Sequence, residues 1–374
     1  MAGIYIHIPF CKKKCHYCNF YSMASLRYMP MFVDNVIDEI QLQKDYLGKQ
    51  VINTIYFGGG TPSLLSTADL NRIYEELDQQ FNIDENAEIT LEANPDDISK
   101  GWIKEIKNTT VNRLSMGVQS FHSDDLKYLQ RIHSAQEAES AIKLIQEGGM
   151  LNLNIDLIYG IPGLTEDKWE QNLNKFFALD IPHLSAYALT VEEKTPLHVN
   201  IEKGKSQSPD ETDTVAHFKS LISLTQDHGY IHYEISNFAR EGHYSRHNSI
   251  YWTGGHYLGL GPSAHSFNGH SRRWNKASTR TWLDLKDYYS ESFEEEVLTD
   301  EQRYNEYVMT SLRTMWGCDI EQVKQEFGDS FKEHLLHEAS PHIESGKIVI
   351  KNGRFYLSNK GKLYADGIAS DLFM

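Results

Sequence analysis

From the N-terminus to about residue 240, short runs rich in β-branched residues alternate with longer stretches whose apolar positions recur every three or four residues. The short runs predict strands at 4–8 (IYIHI), 53–57 (NTIYF), 88–92 (EITLE), 112–116 (NRLSM), 153–160 (LNIDLIYG) and 184–189 (LSAYAL). Between them, MFVDNVIDEIQLQKDYL and STADLNRIYEELDQQF have helical spacing, and Ser66 or Thr67 stands where an N-cap is needed. Repeated strand–helix units imply a parallel sheet, and six of them imply an α/β fold built as an incomplete (β/α)6 barrel. In such folds chemistry gathers at the carboxyl ends of the strands. Gly58–Thr61, Glu92, Gln119 and Asp156 all fall at or near predicted strand ends, which argues for one shared pocket.

The pattern breaks after residue 240. GHYSRHNSIYWTGGHYLGLGPSAHSF is rich in His, Gly and aromatic residues, and seven of the 17 histidines lie between His228 and His270. From about 299 the chain reads as helices, then a hairpin about Asn352-Gly353, then a last helix, a small winged-helix-like module. The expected organisation is therefore a barrel over 1–240, a connecting segment over 241–298 and a C-terminal helical module over 299–374. GKSQSPDET (204–212) is the best linker candidate.

Composition narrows the partners. With 374 residues there is room for a large domain and a smaller one. A net charge of -16 excludes a general nucleic-acid binder, because the surface repels phosphate. No run approaches the roughly 18 apolar residues of a membrane span, and MAGIYIHIPFCKKKC lacks a signal-peptide layout, so a cytoplasmic location is expected. Four cysteines cannot form a disulfide framework in a chain of this size. Cys318 reads as a small buried hydrophobe in a C-terminal helix.

The other three cysteines, Cys11, Cys15 and Cys18, form C-x3-C-x2-C directly after the first strand. Three converging thiolates suit a [4Fe–4S] cluster whose fourth iron stays open to an exogenous ligand. Zinc completed by His7 or His16 remains an alternative on spacing alone, as does the absence of a metal.

C-x3-C-x-Y-C after a first strand resembles the fingerprint of radical S-adenosylmethionine proteins. Together with IYIHIPFC, FGGGTPS, LEANPDD, RLSMGVQSF and NIDLIYGIPG, it is similar to the branch holding oxygen-independent coproporphyrinogen III oxidase and the HemW-type heme chaperones. The resemblance covers essentially the whole chain. It implies a partial radical S-adenosylmethionine barrel, a [4Fe–4S] cluster on the three cysteines, and one or two S-adenosylmethionine molecules. It also implies that Tyr5, Tyr17, Gly58, Gly59, Gly60, Thr61, Glu92, Gln119, Arg131 and Asp156 line the cofactor site.

One departure divides the branch. The oxidase pattern continues Cys-x-Cys, whereas this chain has Cys18-Asn19-Phe20, and only four residues precede Tyr5 where the oxidases carry an extension. Both features are similar to the chaperones and argue against porphyrinogen decarboxylation. His247-Asn248-Ser249-Ile250-Tyr251-Trp252 resembles the H-N-x-x-Y-W heme segment of the chaperones, so the resemblance implies heme contact by His247, Asn248, Tyr251 and Trp252. The bland reading of the same residues is a packed aromatic loop. His256, His265 and Trp274 are further candidates. The implied partners are heme and acceptor hemoproteins, membrane-bound respiratory enzymes among them, with a homodimer as a further arrangement and the electron donor left open.

Overall fold

The computed structural model describes residues 1–284 and 289–374, so 285–288 of the connecting segment lie outside the described residues. All six expected strands form: β1 Ala2–Ile8, β2 Val51–Gly59, β3 Asn82–Ala93, β4 Arg113–Gln119, β5 Leu153–Tyr159 and β6 His183–Ala188. They pair in parallel, in chain order. Their central residues are buried on both faces, which is why the runs read as continuously apolar. The helix Thr67–Gln80 starts where its cap predicts, with Ser66 Oγ accepting from Asp69 N at 3.1 Å.

The sheet continues beyond these six. β7 Ile231–Glu234 and β8 Asn237–Ala239 form an antiparallel edge beside β6. On the other side, the His- and aromatic-rich segment supplies β9 His256–Leu260 parallel to β1, then β10 His265–Phe267, β11 Ser271–Asn275 and β12 Phe293–Val297 antiparallel beyond it. These strands are short and interrupted by glycine and histidine, so their periodicity is weak. They are joined to the barrel through Glu39, a buried carboxylate that accepts from Gly261 N (2.7 Å), Trp282 Nε1 (2.9 Å) and Asn275 Nδ2 (2.6 Å). Burial pushes the Glu39 pKa up, and these donors hold it back.

A second core gathers Tyr304, Val308, Leu312, Leu335, Phe355 and Ile368 around a three-stranded sheet, β13 Cys318–Asp319, β14 Ile348–Lys351 and β15 Arg354–Leu357, in the order β13-β15-β14. The hairpin turns at Asn352 and Gly353, whose φ values of 51° and 74° suit a tight turn of primed type. Cys318 is wholly buried, but it lies in β13 and not in a helix, because Asp319 caps the helix that begins one residue later. Burial pushes its thiol up to about 12. The segment 204–212 is also different from the expectation. It joins the helix Pro196–Glu202 to the helix Glu211–Asp227 within the first core, and Tyr128 donates to Gln207 O at 2.6 Å.

Candidate cofactor site

The loop after β1 is pinned before it reaches the cysteines. Met23 N donates to Pro9 O at 2.8 Å and Cys11 N to Met23 O at 2.9 Å, which closes residues 9–23 into a compact excursion carrying all three thiols. The thiols face a cavity of about 410 Å³ at the carboxyl ends of the strands. Burial raises the Cys11 and Cys18 pKa values, a shift that a bound metal would oppose by favouring the thiolates.

Arg131 brings a cation to the loop. Its Nη1 donates to Cys15 Sγ at 3.4 Å, while Nη2 donates to Asn94 Oδ1 at 2.5 Å and Gly117 O at 2.8 Å. Asn94 Nδ2 in turn donates to Thr61 Oγ1 at 3.1 Å. On the floor of the cavity Glu92 accepts from Tyr56 Oη (2.8 Å) and Gly59 N (3.1 Å). Burial, with Asp156 adding repulsion, pushes Glu92 up to about 7. Burial likewise pushes Asp156 up to about 6, against the bond from Asn154 Nδ2 at 2.7 Å. Two carboxyl groups that titrate near neutrality in one enclosed space are poised to receive a cationic ligand.

Eight of the ten expected cofactor residues line this cavity: Tyr17, Gly59, Gly60, Thr61, Glu92, Gln119, Arg131 and Asp156. Gln119 sits at an irregularity in the β4–β5 register with φ 68°, a left-handed conformation that a non-glycine residue adopts only at some cost. Tyr5 and Gly58 are not part of the lining. The Tyr5 hydroxyl bonds His7 Nδ1 at 3.0 Å inside the barrel, and Gly58 packs so closely on Tyr5 and Tyr56 that a Cβ would lie 2.8 Å from each ring. Gly60 is the glycine that permits close approach, since a Cβ there would meet Phe10 O at 2.5 Å and Cys11 Sγ at 3.0 Å. Asn94 and Tyr56 have no signal in the sequence that marks them as part of the site. Asn94 stands in plain view within LEANPDD, but nothing along the chain pairs it with Arg131.

The donor set fits an iron–sulfur cluster better than zinc. Of the two histidines offered to zinc, His7 has both ring nitrogens engaged, by Tyr5 and by Tyr21 O at 2.8 Å, whereas His16 is buried with no hydrogen-bond partner on Nδ1. Among the described residues, no group of three or more His, Cys, Asp or Glu is close enough to hold a single ion. Three thiols spread around a loop, with a polar cavity beside them, match a larger cluster with one open iron.

The chain matches the radical SAM superfamily over residues 5–176 and the HemN C-terminal domain over 298–364. It is 32% identical to the heme chaperone HemW of Bacillus subtilis, with 98% of each chain covered. It is 30% identical to that of Lactococcus lactis, with 96% of this chain and 93% of the relative covered. The chain belongs to the HemW family. Coproporphyrinogen III oxidase (HemN) from Escherichia coli superposes with a TM-score of 0.84 at 22% identity, covering all of this chain and 90% of that one, and shares the fold. The radical SAM membership of this HemW-family chain brings with it a [4Fe–4S] cluster and S-adenosylmethionine.

The H-N-x-x-Y-W residues lie elsewhere. They form the helix Arg246–Trp252, which inserts beside the amino-terminal halves of β1–β3, where Gly3 leaves it room. Glu88 accepts from Arg246 N (3.1 Å) and His247 N (3.0 Å) at the start of the helix. His247 is 1% exposed; its Nδ1 bonds Thr54 Oγ1 at 2.8 Å and its Nε2 the Tyr251 hydroxyl at 2.9 Å. Neither nitrogen is free for iron in this conformation, and burial lowers the pKa to about 3, which keeps the imidazole neutral. Asn248 and Trp252 are half-buried on the outer side, with the Arg313 guanidinium 5.3 Å from the Trp252 ring. Of the weaker candidates, His265 and Trp274 stack as a cross-strand pair, and His256 opens onto a separate groove. Among the described residues no helix is long and apolar enough to cross a membrane.

Proposed function

We propose that this chain binds heme and passes it to acceptor hemoproteins, in the manner named for its relatives, with a [4Fe–4S] cluster on Cys11, Cys15 and Cys18 and S-adenosylmethionine in the adjoining cavity. The observation that carries the reading is the loop itself. It has three cysteines and then Phe20, which is 61% exposed at the cavity, so this position offers a docking surface and no fourth thiolate.

Each residue of the cavity has a defined role in this reading. Arg131 balances thiolate charge at Cys15 and holds Asn94 in place. Glu92, kept in register by Gly59 N and Tyr56, offers a carboxylate to a cationic ligand, and Gly60 lets the backbone approach it. When bound, the cluster supplies one-electron reduction and an open iron that chelates the methionine part of the cofactor. The negative surface suits a carrier that meets other proteins transiently and has no use for nucleic acid. Respiratory hemoproteins at a membrane are the acceptors proposed, and a homodimer is the proposed resting form.

The test is an anaerobic hemin titration of the reconstituted protein, followed by mixing with an apo-hemoprotein, with coproporphyrinogen turnover assayed on the same sample. Saturable binding and transfer without decarboxylation support the chaperone; decarboxylation, or no saturable heme binding, overturns it.

A further inference from the structure

Lys12 follows Cys11 in the cysteine loop, and its ammonium reaches across to the turn after β3. There it donates to Asp96 Oδ2 at 2.9 Å and also pairs with Asp97 Oδ1. Ion pairs on an open surface contribute little, because water screens them and two mobile side chains must be ordered. This one is different in its acceptors. The Asp97 side chain is 4% exposed and that of Asp96 17%, so both carboxylates sit largely out of water while the lysine stem covers them. Neither the sequence motifs nor the roles given above to the cavity residues account for Lys12.

The turn that Lys12 grips, the short 3-10 helix Pro95–Asp97, is a hub of the site. Asp97 Oδ2 accepts from Ser63 Oγ at 2.6 Å and from Asn94 N at 3.3 Å, so one carboxylate receives both the loop after β2 and, through Lys12, the cysteine loop. Asn94, just before the turn, holds Arg131, which donates in turn to Cys15 Sγ. A ring is thereby closed, from the cysteine loop through Lys12 to Asp96 and Asp97, then through Asn94 and Arg131 back to Cys15. Asp96 depends on the lysine, since its Oδ1 is buried without a hydrogen-bond partner and Lys12 is the cation that its Oδ2 contacts. Where Lys12, Asn94 and Arg131 meet beside Cys15, the space left is about 20 Å³, room for about one water.

We infer that Lys12 is a positioning residue for the iron–sulfur centre, one that clamps the cysteine loop to the turn after β3 and so sets how firmly the cluster is held and what charge it senses. The inference rests on the assignment of the cluster to Cys11, Cys15 and Cys18. Lys12 and Arg131 are the two side chains that tie the loop to Asn94–Asp97, and Lys12 does so from a position between two of the ligands. Its charge matters as well as its reach. Removing the ammonium leaves two poorly hydrated carboxylates uncompensated near the cluster, which opposes the arrival of an electron and lowers the reduction potential. Removing one carboxylate has the opposite sign. A residue that served folding alone would not produce these opposed shifts.

The experiment uses the full-length protein reconstituted without oxygen, as wild type, Lys12→Met, Lys12→Arg, Asp96→Asn and the control Lys13→Met, an exposed neighbour outside these ion pairs. Thermal melts check that each variant folds. Two quantities are read: the rate at which EDTA bleaches the cluster absorbance, and the midpoint potential from a redox titration followed by the electron paramagnetic resonance of the reduced cluster. Lys12→Met should bleach several-fold faster than wild type at a lowered potential, and Asp96→Asn should also bleach faster but at a raised one. Lys12→Arg should restore both quantities, and Lys13→Met should bleach at the wild-type rate. Should Lys12→Met hold too little cluster for a titration, Asp96→Asn and Lys12→Arg carry the same test. Wild-type rates and potentials in Lys12→Met and Asp96→Asn overturn the clamp and leave the cluster assignment standing, as does faster bleaching with both potentials unmoved. Failure of wild type to take up iron and sulfide overturns the cluster assignment, and the clamp with it.

Discussion

The hydroxyl of Tyr56 lies 2.8 Å from Oε1 of Glu92, and the ring that bears it is stacked 5.0 Å from the imidazole of His247. The cavity floor and the buried helix Arg246–Trp252 are thus separated by one aromatic ring. A displacement of that helix reaches the Glu92 carboxylate through a packed contact, since close-packed interiors transmit small shifts.

The cluster assignment predicts that Cys15→Ser, reconstituted without oxygen, loses the brown absorbance near roughly 400 nm expected of thiolate-ligated [4Fe–4S]. Cys318→Ser, in the other core, should retain it. Iron and sulfide analysis checks both, and normal iron content in Cys15→Ser would sink the assignment.

Gly60→Ala should lower iron incorporation. The added Cβ would meet Phe10 O at 2.5 Å and Cys11 Sγ at 3.0 Å, so the cysteine loop must shift. Gly59→Val acts differently. Gly59 has φ 108°, and its Cβ would strike the His7 ring at 2.7 Å and not the cavity, so the main effect expected is a lowered melting temperature.

The raised carboxyl pKa values predict a pH dependence. Glu92 is lifted from its ordinary 4.5 to about 7, so the folded state holds a proton that the unfolded state releases. Its contribution to stability is fully present below pH about 4.5 and is lost as pH rises through about 7, a few kcal/mol at most. Melts of the apo-protein should therefore fall more between pH 5 and 8 in wild type than in Glu92→Gln. Conversely, S-adenosylmethionine binding, which favours the ionised carboxylate, should tighten several-fold between about pH 6 and 7.5 in wild type and stay flat in the variant. Equilibrium dialysis reads this directly.

His247→Ala should behave as a core mutation. The side chain is buried and both nitrogens are bonded, so truncation leaves a cavity and strands the Thr54 and Tyr251 hydroxyls, costing about 2–4 kcal/mol. Chemical denaturation measures the loss. Thr54→Val, which removes only one of the partners, should cost less.

Sequence alone determined what is local or periodic: six parallel strands, the Ser66 cap, the Asn352-Gly353 turn and the cysteine loop. These follow from side-chain alternation, from backbone groups that need a partner within a few residues, and from a metal motif eight residues long. Tertiary structure decided what depends on long-range pairing. No periodicity reveals that β9 lies parallel to β1, because that pairing joins residues about 250 positions apart through one short strand. Nor does spacing show that Arg131 reaches Cys15, or that Tyr5 and Gly58 fall beneath the cavity. His247 is the clearest case. The motif marks an imidazole beside aromatic residues, and only packing shows that Thr54 and Tyr251 occupy both its nitrogens.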